Sequence, residues 1–206
     1  MNSKGMSEVK TIGITGGIGS GKSYISALLQ REFDIPVYDC DSEAKRLTAS
    51  DEEIRSQLVE LVGPEVFKEG VLNKQLLADY LFSDPEHASK VNSIIHPAVL
   101  KDFKRWAEKQ QKPIVALESA ILFESGFNAF VDKVIFVDAP EEVRLKRAIE
   151  RDSAKEEQIK ARMKMQQPDI QRSQADFIIH NFKADDTKLL VQLKHITHKI
   201  SCLKQS

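Results

Sequence analysis

The stretch Gly16-Gly17-Ile18-Gly19-Ser20-Gly21-Lys22-Ser23 decides how this chain is read. It fits the phosphate-binding pattern G-x-x-x-x-G-K-[S/T]. Before it runs Thr11-Ile12-Gly13-Ile14-Thr15, short and β-prone; after it Ile25, Leu28, Leu29 and Phe33 recur at helical spacing. At average residue usage the four fixed positions arise by chance in roughly one chain in a hundred of this length, so the setting carries the assignment more than the string does. Strand, glycine loop and helix in that order make it a site rather than a glycine turn that merely caps a helix. Each fixed residue has a physical task. Glycine lets the backbone take positive φ and approach an anion with no Cβ in the way. The curled loop points N–H groups inward, and the following helix adds its positive end. Lys22 can reach the β- and γ-phosphates of a nucleoside triphosphate, and the Ser23 hydroxyl can ligate Mg²⁺.

Composition sets outer limits. With 206 residues, one domain with an insertion fits as well as two small domains. Thirty basic against thirty-one acidic residues leave a net charge of -1, which gives no argument for nucleic acid or an anionic membrane as partner. No apolar run is long enough to cross a bilayer. Residues 1–10 are polar and carry no hydrophobic signal core, and Met6 is as good a start as Met1. Cys40 and Cys202 lie far apart, which suits a reduced, cytoplasmic chain rather than a disulfide framework.

Five segments read as buried strands: Thr11–Thr15, Ile35–Asp39, Ile114–Leu117, Lys133–Val137 and Phe177–His180. Helical patterns separate them. That alternation predicts an α/β fold of the P-loop NTPase type, a parallel five-stranded sheet with helices on both faces. From residue 42 to 111 the chain reads as helical throughout, with breaks at Gly63-Pro64, Gly70, Asp84-Pro85 and His96-Pro97. This is an insertion on a core formed by residues 8–41, 112–140 and 170–206. Residues 141–169 are highly charged and read as two helices joined near Asp152-Ser153. Solvated amphipathic helices explain most of those charges; a mobile flap closing over phosphates is the functional alternative. A last helix is expected from Asp185-Asp186.

What receives the phosphate must be read at the strand ends, where open α/β sheets bind ligands. After the second strand stand Asp39-Cys40-Asp41-Ser42, with two aspartates two apart in an extended segment. A carboxylate there can take a proton from an attacking hydroxyl. Equally, Asp41 or Ser42 can cap a helix starting near Glu43, and the local pattern leaves both open. Glu118 ends the third strand and can hold Mg²⁺ through water, or simply be a strand-terminal acid. Arg144, Arg147 and Arg151 are spaced by three and four, hence on one helix face, as a clamp on phosphate oxygens requires.

Taken together these residues resemble the dephospho-CoA kinase family, over nearly the whole chain from Ile12 to about Leu193. The family's T-G-G-I-G-S-G-K-S is present as Thr15 to Ser23. Its D-A-D with a following A-R appears as Asp39-Cys40-Asp41 with Ala44, Lys45 and Arg46. His96-Pro97 matches its H-P, and Ala120 to Glu124 its P-L-L-x-E. Arg147 to Asp152 match its R-x-x-R-D in altered register, Gln166 or Gln167 the lid glutamine, and Ala175 to Asn181 its A-D-x-x-I-x-N. The resemblance implies transfer of the γ-phosphate of ATP, with Mg²⁺, to the ribose 3′-hydroxyl of dephospho-CoA. It implies Asp41 as base and Lys22, Arg147 and Arg151 at the reacting phosphate. Gly17, Ile18, Gly19, Ser20, Gly21, Lys22, Ser23 and Tyr24 would hold the triphosphate, with Asn181, and Phe182 beside it, toward adenine. Thr15, Asp41, His96 and Arg144 would face the acceptor, and Ser23 and Glu118 the metal. The insertion would bind the acceptor and residues 141–169 would form the lid of a monomer or weak homo-oligomer. Departures are Tyr24 for threonine, Ala120 for proline, Cys40 for alanine and Glu118 where aspartate is common.

Rival classes fare worse. A GTPase switch needs N-K-x-D and D-x-x-G; Asn73-Lys74-Gln75-Leu76 lacks the aspartate, and no D-x-x-G occurs. A kinase for nucleoside monophosphates or sugars lacks a reason for the D-x-D and the long insertion. A dead binding module does not need Lys22, Ser23 and Asp41 intact. His195 and His198 read as a surface helix rather than a metal pair, Phe103 and Trp106 as packing, and Cys40 as a small buried filler.

Overall fold

A computed structural model describes residues 9–152, 155–166, 168–183 and 185–202. Five strands form the main sheet: β1 (Lys10–Thr15), β2 (Val37–Asp39), β5 (Ile114–Glu118), β6 (Lys133–Asp138) and β7 (Phe177–His180), in the order β2-β5-β1-β6-β7. β1 runs parallel to β5, with Ile12 opposite Ala116, and to β6, with Ile14 opposite Ile135; β6 runs parallel to β7. Each expected strand is found, with ends shifted by at most two residues. The central strand leads into the glycine loop, so the loop opens where the chain leaves for opposite sides of the sheet, the usual ligand position in such folds.

Side chains alternate across the sheet as the pleat requires. Ile12, Ile14, Ile114, Ala116, Ile135 and Val137 point to one face, where helices α1 (Lys22–Phe33) and α9 (Asp186–Ser201) cover them with Ile25, Leu28, Leu29, Leu189 and Leu193. On the opposite face Gly13 lets Leu122 and Val131 approach the backbone so closely that a Cβ would stand 2.8 Å from the Leu122 side chain. Asp185 caps α9 by accepting from Lys188 N–H at 3.2 Å.

Chain packing divides into two compact units, one of residues up to Tyr38 with those from Ala107 onward, the other Asp39–Trp106. The second contains α2 (Cys40–Ser50), α3 (Glu52–Val62), α4 (Lys74–Ser83) and most of α5 (Pro85–Gln110). Two expectations for this region are corrected. It is not helical throughout: β3 (Phe67–Lys68) and β4 (Val71–Leu72) pair antiparallel across Glu69 and Gly70, whose φ values of 50° and 80° supply the positive-φ pair that a two-residue hairpin turn needs. Nor does His96-Pro97 break a helix, since Pro97 lies inside α5. Val91, Val99, Phe103 and Ala107 form one buried stripe along that helix. Their burial outweighs the roughly 3 kcal/mol that an interior proline costs.

In the first unit the charged region forms α6 (Glu141–Asp152) and α7 (Glu156–Lys164), as expected, and adds α8 (Pro168–Gln174). The proposed joint at Asp152-Ser153 lies partly outside the described residues, as does Gln167. Leu193 is wholly buried between α9 and the sheet. Leu193→Ala should lower unfolding free energy by about 2–5 kcal/mol in urea titration of the chain; a loss under about 1 kcal/mol would show that this face is not tightly packed.

Candidate functional site

The loop leaves β1 at Thr15, and α1 begins at Lys22. Its N-cap is Gly21, left-handed at φ 95°, and no side chain caps the helix. The first-turn N–H groups therefore keep their positive end unshared by any capping oxygen, as an anion site needs. Lys22 folds back on the loop, its Nζ donating to Gly16 C=O at 2.9 Å and Gly17 C=O at 3.3 Å.

Three side chains from distant parts of the chain press on this loop. Asn181, buried just past β7, donates from its amide to Ser20 C=O at 2.8 Å. Arg144 of α6 is only 9% exposed; its Nε donates to Ala139 C=O at 3.1 Å, and its main chain lies against Gly19. Gln166 accepts the Ile18 N–H at 2.8 Å. A Cβ at Gly19 would overlap the Arg144 backbone and one at Gly21 the Asn181 amide, and both positions have positive φ. Glycine is required there for space as well as for conformation.

Among the described residues, three buried side-chain atoms have no hydrogen-bond partner: Thr15 Oγ1, Ser20 Oγ and Arg144 Nη1. All three border this loop. An unpaired buried polar group costs on the order of 1–3 kcal/mol, and native structures keep few of them. Their concentration at one glycine loop marks a place built for a polar, anionic ligand. A cleft of about 450 Å³ opens beside it, lined by Gly17, Arg144, Asp138, Arg172 and Phe182. Arg172 pairs with the buried Asp138, which also faces His180 at 3.5 Å.

Ser23 and Glu118 meet directly. The Ser23 hydroxyl donates to Glu118 Oε1 at 2.9 Å, and the Ser26 hydroxyl, one turn on, donates to Oε2 at 2.6 Å. Glu118, nearly buried at the end of β5, is thus oriented by two hydroxyls of α1. Hydroxyl and carboxylate oxygens side by side suit a hard divalent cation.

The arginines of α6 are graded along the helix. Arg144 is buried, half-buried Arg147 donates to Asn181 C=O at 3.0 Å, and exposed Arg151 pairs with its neighbour Asp152 at 2.7 Å. Hydrogen bonds from Arg151 and then Arg162 hold the Asp152 carboxyl below its ordinary range. Tyr24 is exposed, and its hydroxyl donates to Asp186, which raises its pKa.

Asp41, His96 and Cys40 lie in the other compact unit. Asp39, not Asp41 or Ser42, caps α2: its carboxylate accepts from the N–H groups of Asp41 at 3.0 Å and Ser42 at 3.2 Å. The helix therefore starts at Cys40, three residues earlier than expected, and the two aspartates are not an extended pair. Asp41 sits exposed in the first helical turn. His96 is half-buried in α5, and burial lowers its pKa. Cys40 is buried, as a filler would be, and His195 and His198 are exposed on α9.

The reach of Gln166 to the loop was missed. So were Ser26 and the Asp138–Arg172 pair. Ser26 could have been found from its i+3 spacing to Ser23; the other contacts depend on tertiary folding and leave no local signal.

A parallel sheet in this order, a glycine loop after its central strand and an arginine-bearing helical segment over that loop define a P-loop kinase. The dephospho-CoA kinase family model matches residues 10–186. A dephospho-CoA kinase of Bacteroides fragilis is 51% identical over 172 residues, covering 82% of this chain and 83% of that protein. One from Porphyromonas gingivalis is 44% identical over 173 residues, 83% of this chain and 85% of its own. The crystal structure of TT1252 from Thermus thermophilus, 33% identical, superposes with a TM-score of 0.80 over 93% of this chain and 97% of that one. The chain belongs to the dephospho-CoA kinase family. The reaction is phosphoryl transfer from ATP to the ribose 3′-hydroxyl of dephospho-CoA, the final step of coenzyme A biosynthesis.

Gly19→Ala should weaken ATP binding more than about tenfold, because a methyl there displaces Arg144 or the loop itself. Gly126→Ala, at φ 74° with nothing within 4 Å of the added Cβ, should cost about 1–2 kcal/mol of stability and leave ATP affinity unchanged. Calorimetric titration of both variants with ATP checks the contrast.

Proposed function

We propose that the glycine loop and Lys22 hold the triphosphate of ATP while Asp41 takes the proton of the ribose 3′-hydroxyl. The hydroxyl oxygen then forms a bond to the γ-phosphorus as the bond to the ADP oxygen breaks, so ADP leaves and the 3′-phosphate carries the new ester. The observation that carries this reading is the set of three buried polar atoms, unpartnered among the described residues, at a glycine loop that leads into an uncapped helix N-terminus. Phosphoryl transfer asks chiefly for positioning and charge neutralisation, and those atoms suit that task.

The roles divide as follows. Main-chain N–H groups from Gly17 to Tyr24 donate to phosphate oxygens, and Lys22 exchanges its loop carbonyls for the β- and γ-phosphates. Arg144 Nη1, which lies beside Gly17 and has no protein acceptor among the described residues, donates to a phosphate oxygen from the acceptor side. Arg147 and Arg151 neutralise charge as the γ-phosphoryl moves. Asn181 combines an adenine-side position with its hold on the loop. Ser23, and Glu118 through water, would hold Mg²⁺, which when bound neutralises charge on the β- and γ-phosphates. Residues 141–169 act as the lid, and residues 42–111, with His96, as the acceptor-binding insertion. The capping by Asp39 supports the assignment of Asp41, because the helix end does not require the second carboxylate as its cap. The protein acts on a small molecule in the cytoplasm, as a monomer or weak homo-oligomer and without nucleic acid; among the described residues no helix is long and apolar enough to cross a membrane.

Coupled ADP-release assays with dephospho-CoA, adenosine, AMP and simple sugars should show strong preference for dephospho-CoA. Asp41→Asn should lower kcat by about a hundredfold or more, with ATP affinity near normal, whereas Lys22→Ala should weaken both. An Asp41→Asn variant that keeps full turnover removes the base from this mechanism.

A further inference from the structure

The helical unit holds a groove of its own, about 320 Å³, between the end of α2, the start of α3 and the middle of α5. Resting on the acceptor reading above, we infer that this groove binds the uncharged, amide-bearing pantetheine arm of dephospho-CoA, with the Ser93 main-chain carbonyl accepting an amide N–H from it.

Pro97 has no N–H, so α5 cannot make the bond that would otherwise run from residue 97 to the Ser93 carbonyl. Ser93 and Pro97 both line the groove, and both are exposed. The missing helical donor leaves an acceptor position inside a continuous helix, where a ligand's secondary amide can supply the N–H.

Asp51, Glu53 and Asp102 line the groove against Lys101 and Arg105. Asp51 already accepts from the N–H groups of Glu53 and Ile54 at 3.0 Å, and Asp102 pairs with Arg46 at 2.6 Å. A lining with three acids and two bases repels a diphosphate more than it attracts one. It suits a neutral chain whose amides need donors and acceptors and whose methyl and methylene groups need the apolar contacts of Leu47, Ile54 and Ile94.

Asp41 belongs to the same compact unit and stands on the same helix as Leu47. Six residues at 1.5 Å rise separate them by about 9 Å along the axis. The acceptor's hydroxyl and its arm lie on opposite sides of its ribose and diphosphate, so one molecule has the length to place one end at Asp41 and the other in the groove.

The test measures KM for dephospho-CoA and for ATP on the full chain and two variants. Pro97→Ala returns an N–H to the Ser93 carbonyl. It should raise the Tm, yet raise KM for dephospho-CoA about fivefold with KM for ATP unchanged. A proline with a purely structural role would give the stability change alone. Ala98→Trp fills the groove and should raise KM for dephospho-CoA about tenfold or more, again without effect on ATP. Unchanged dephospho-CoA KM in both variants, or parallel rises for both substrates, overturns the groove. A rise only in Ala98→Trp keeps the groove and overturns the carbonyl contact. No ADP release from the wild-type chain with dephospho-CoA would overturn the acceptor reading itself, and the groove with it.

Discussion

Everything around the glycine loop depends on the close approach of Arg144 and Asn181 to a loop that has no side chains in their way. Asn181 holds Ser20 C=O, and the Arg144 main chain lies on Gly19. The end of β7 and helix α6 are thereby tied to one loop. A flexible loop would lose much of its amide-derived affinity to the entropy of ordering. Here the ordering is done by the fold, at contacts that any β-carbon would disturb.

The sheet makes that approach possible. β1 lies between β5 and β6, and both neighbours end level with the loop. β5 delivers Glu118 to the hydroxyls of Ser23 and Ser26; β6 delivers Asp138, then Ala139, whose carbonyl orients Arg144. The apolar face beneath α1 and α9 sets strand registers through burial. The polar loop inherits its geometry from that packing. A core defect far from the loop would therefore move the carboxylate and guanidinium together, rather than one at a time.

Much of this was legible in the residues. Gly16 to Ser23 with their flanking runs announced the loop, and five apolar segments announced the sheet, because burial on both sides of a parallel strand leaves a continuous apolar signature. The hairpin at Phe67–Leu72 was not legible. Its strands are two residues each, too short for a period-2 pattern, and Glu69 gives no hint of positive φ. Pro97 misled for a different reason: a local rule against proline in helices lost to a buried stripe extending on both sides of it. Asp39 misled as well. Of several possible caps in Asp39-Cys40-Asp41-Ser42, the one chosen depends on where the strand stops, which is fixed by sheet pairing. Gln166 was legible as a residue type in a motif, but its bond to Ile18 joins positions 148 apart and has no local trace.

The arginines of α6 show how one helix can both fix a site and leave part of it adjustable. Arg144 and Arg147 bond to main-chain carbonyls outside their own helix, at Ala139 and Asn181, so the first turns of α6 are locked to the core. Arg151, near the far end, bonds to Asp152 beside it, and Asp152 in turn pairs with Arg162 of α7. That pairing is exposed and screened by water, so it holds Arg151 only weakly. Repositioning Arg144 would instead break a buried hydrogen bond and disturb the contact over Gly19. The division follows from burial alone: the inner guanidinium is fixed against the glycine loop, and the outer one can change partner at little cost.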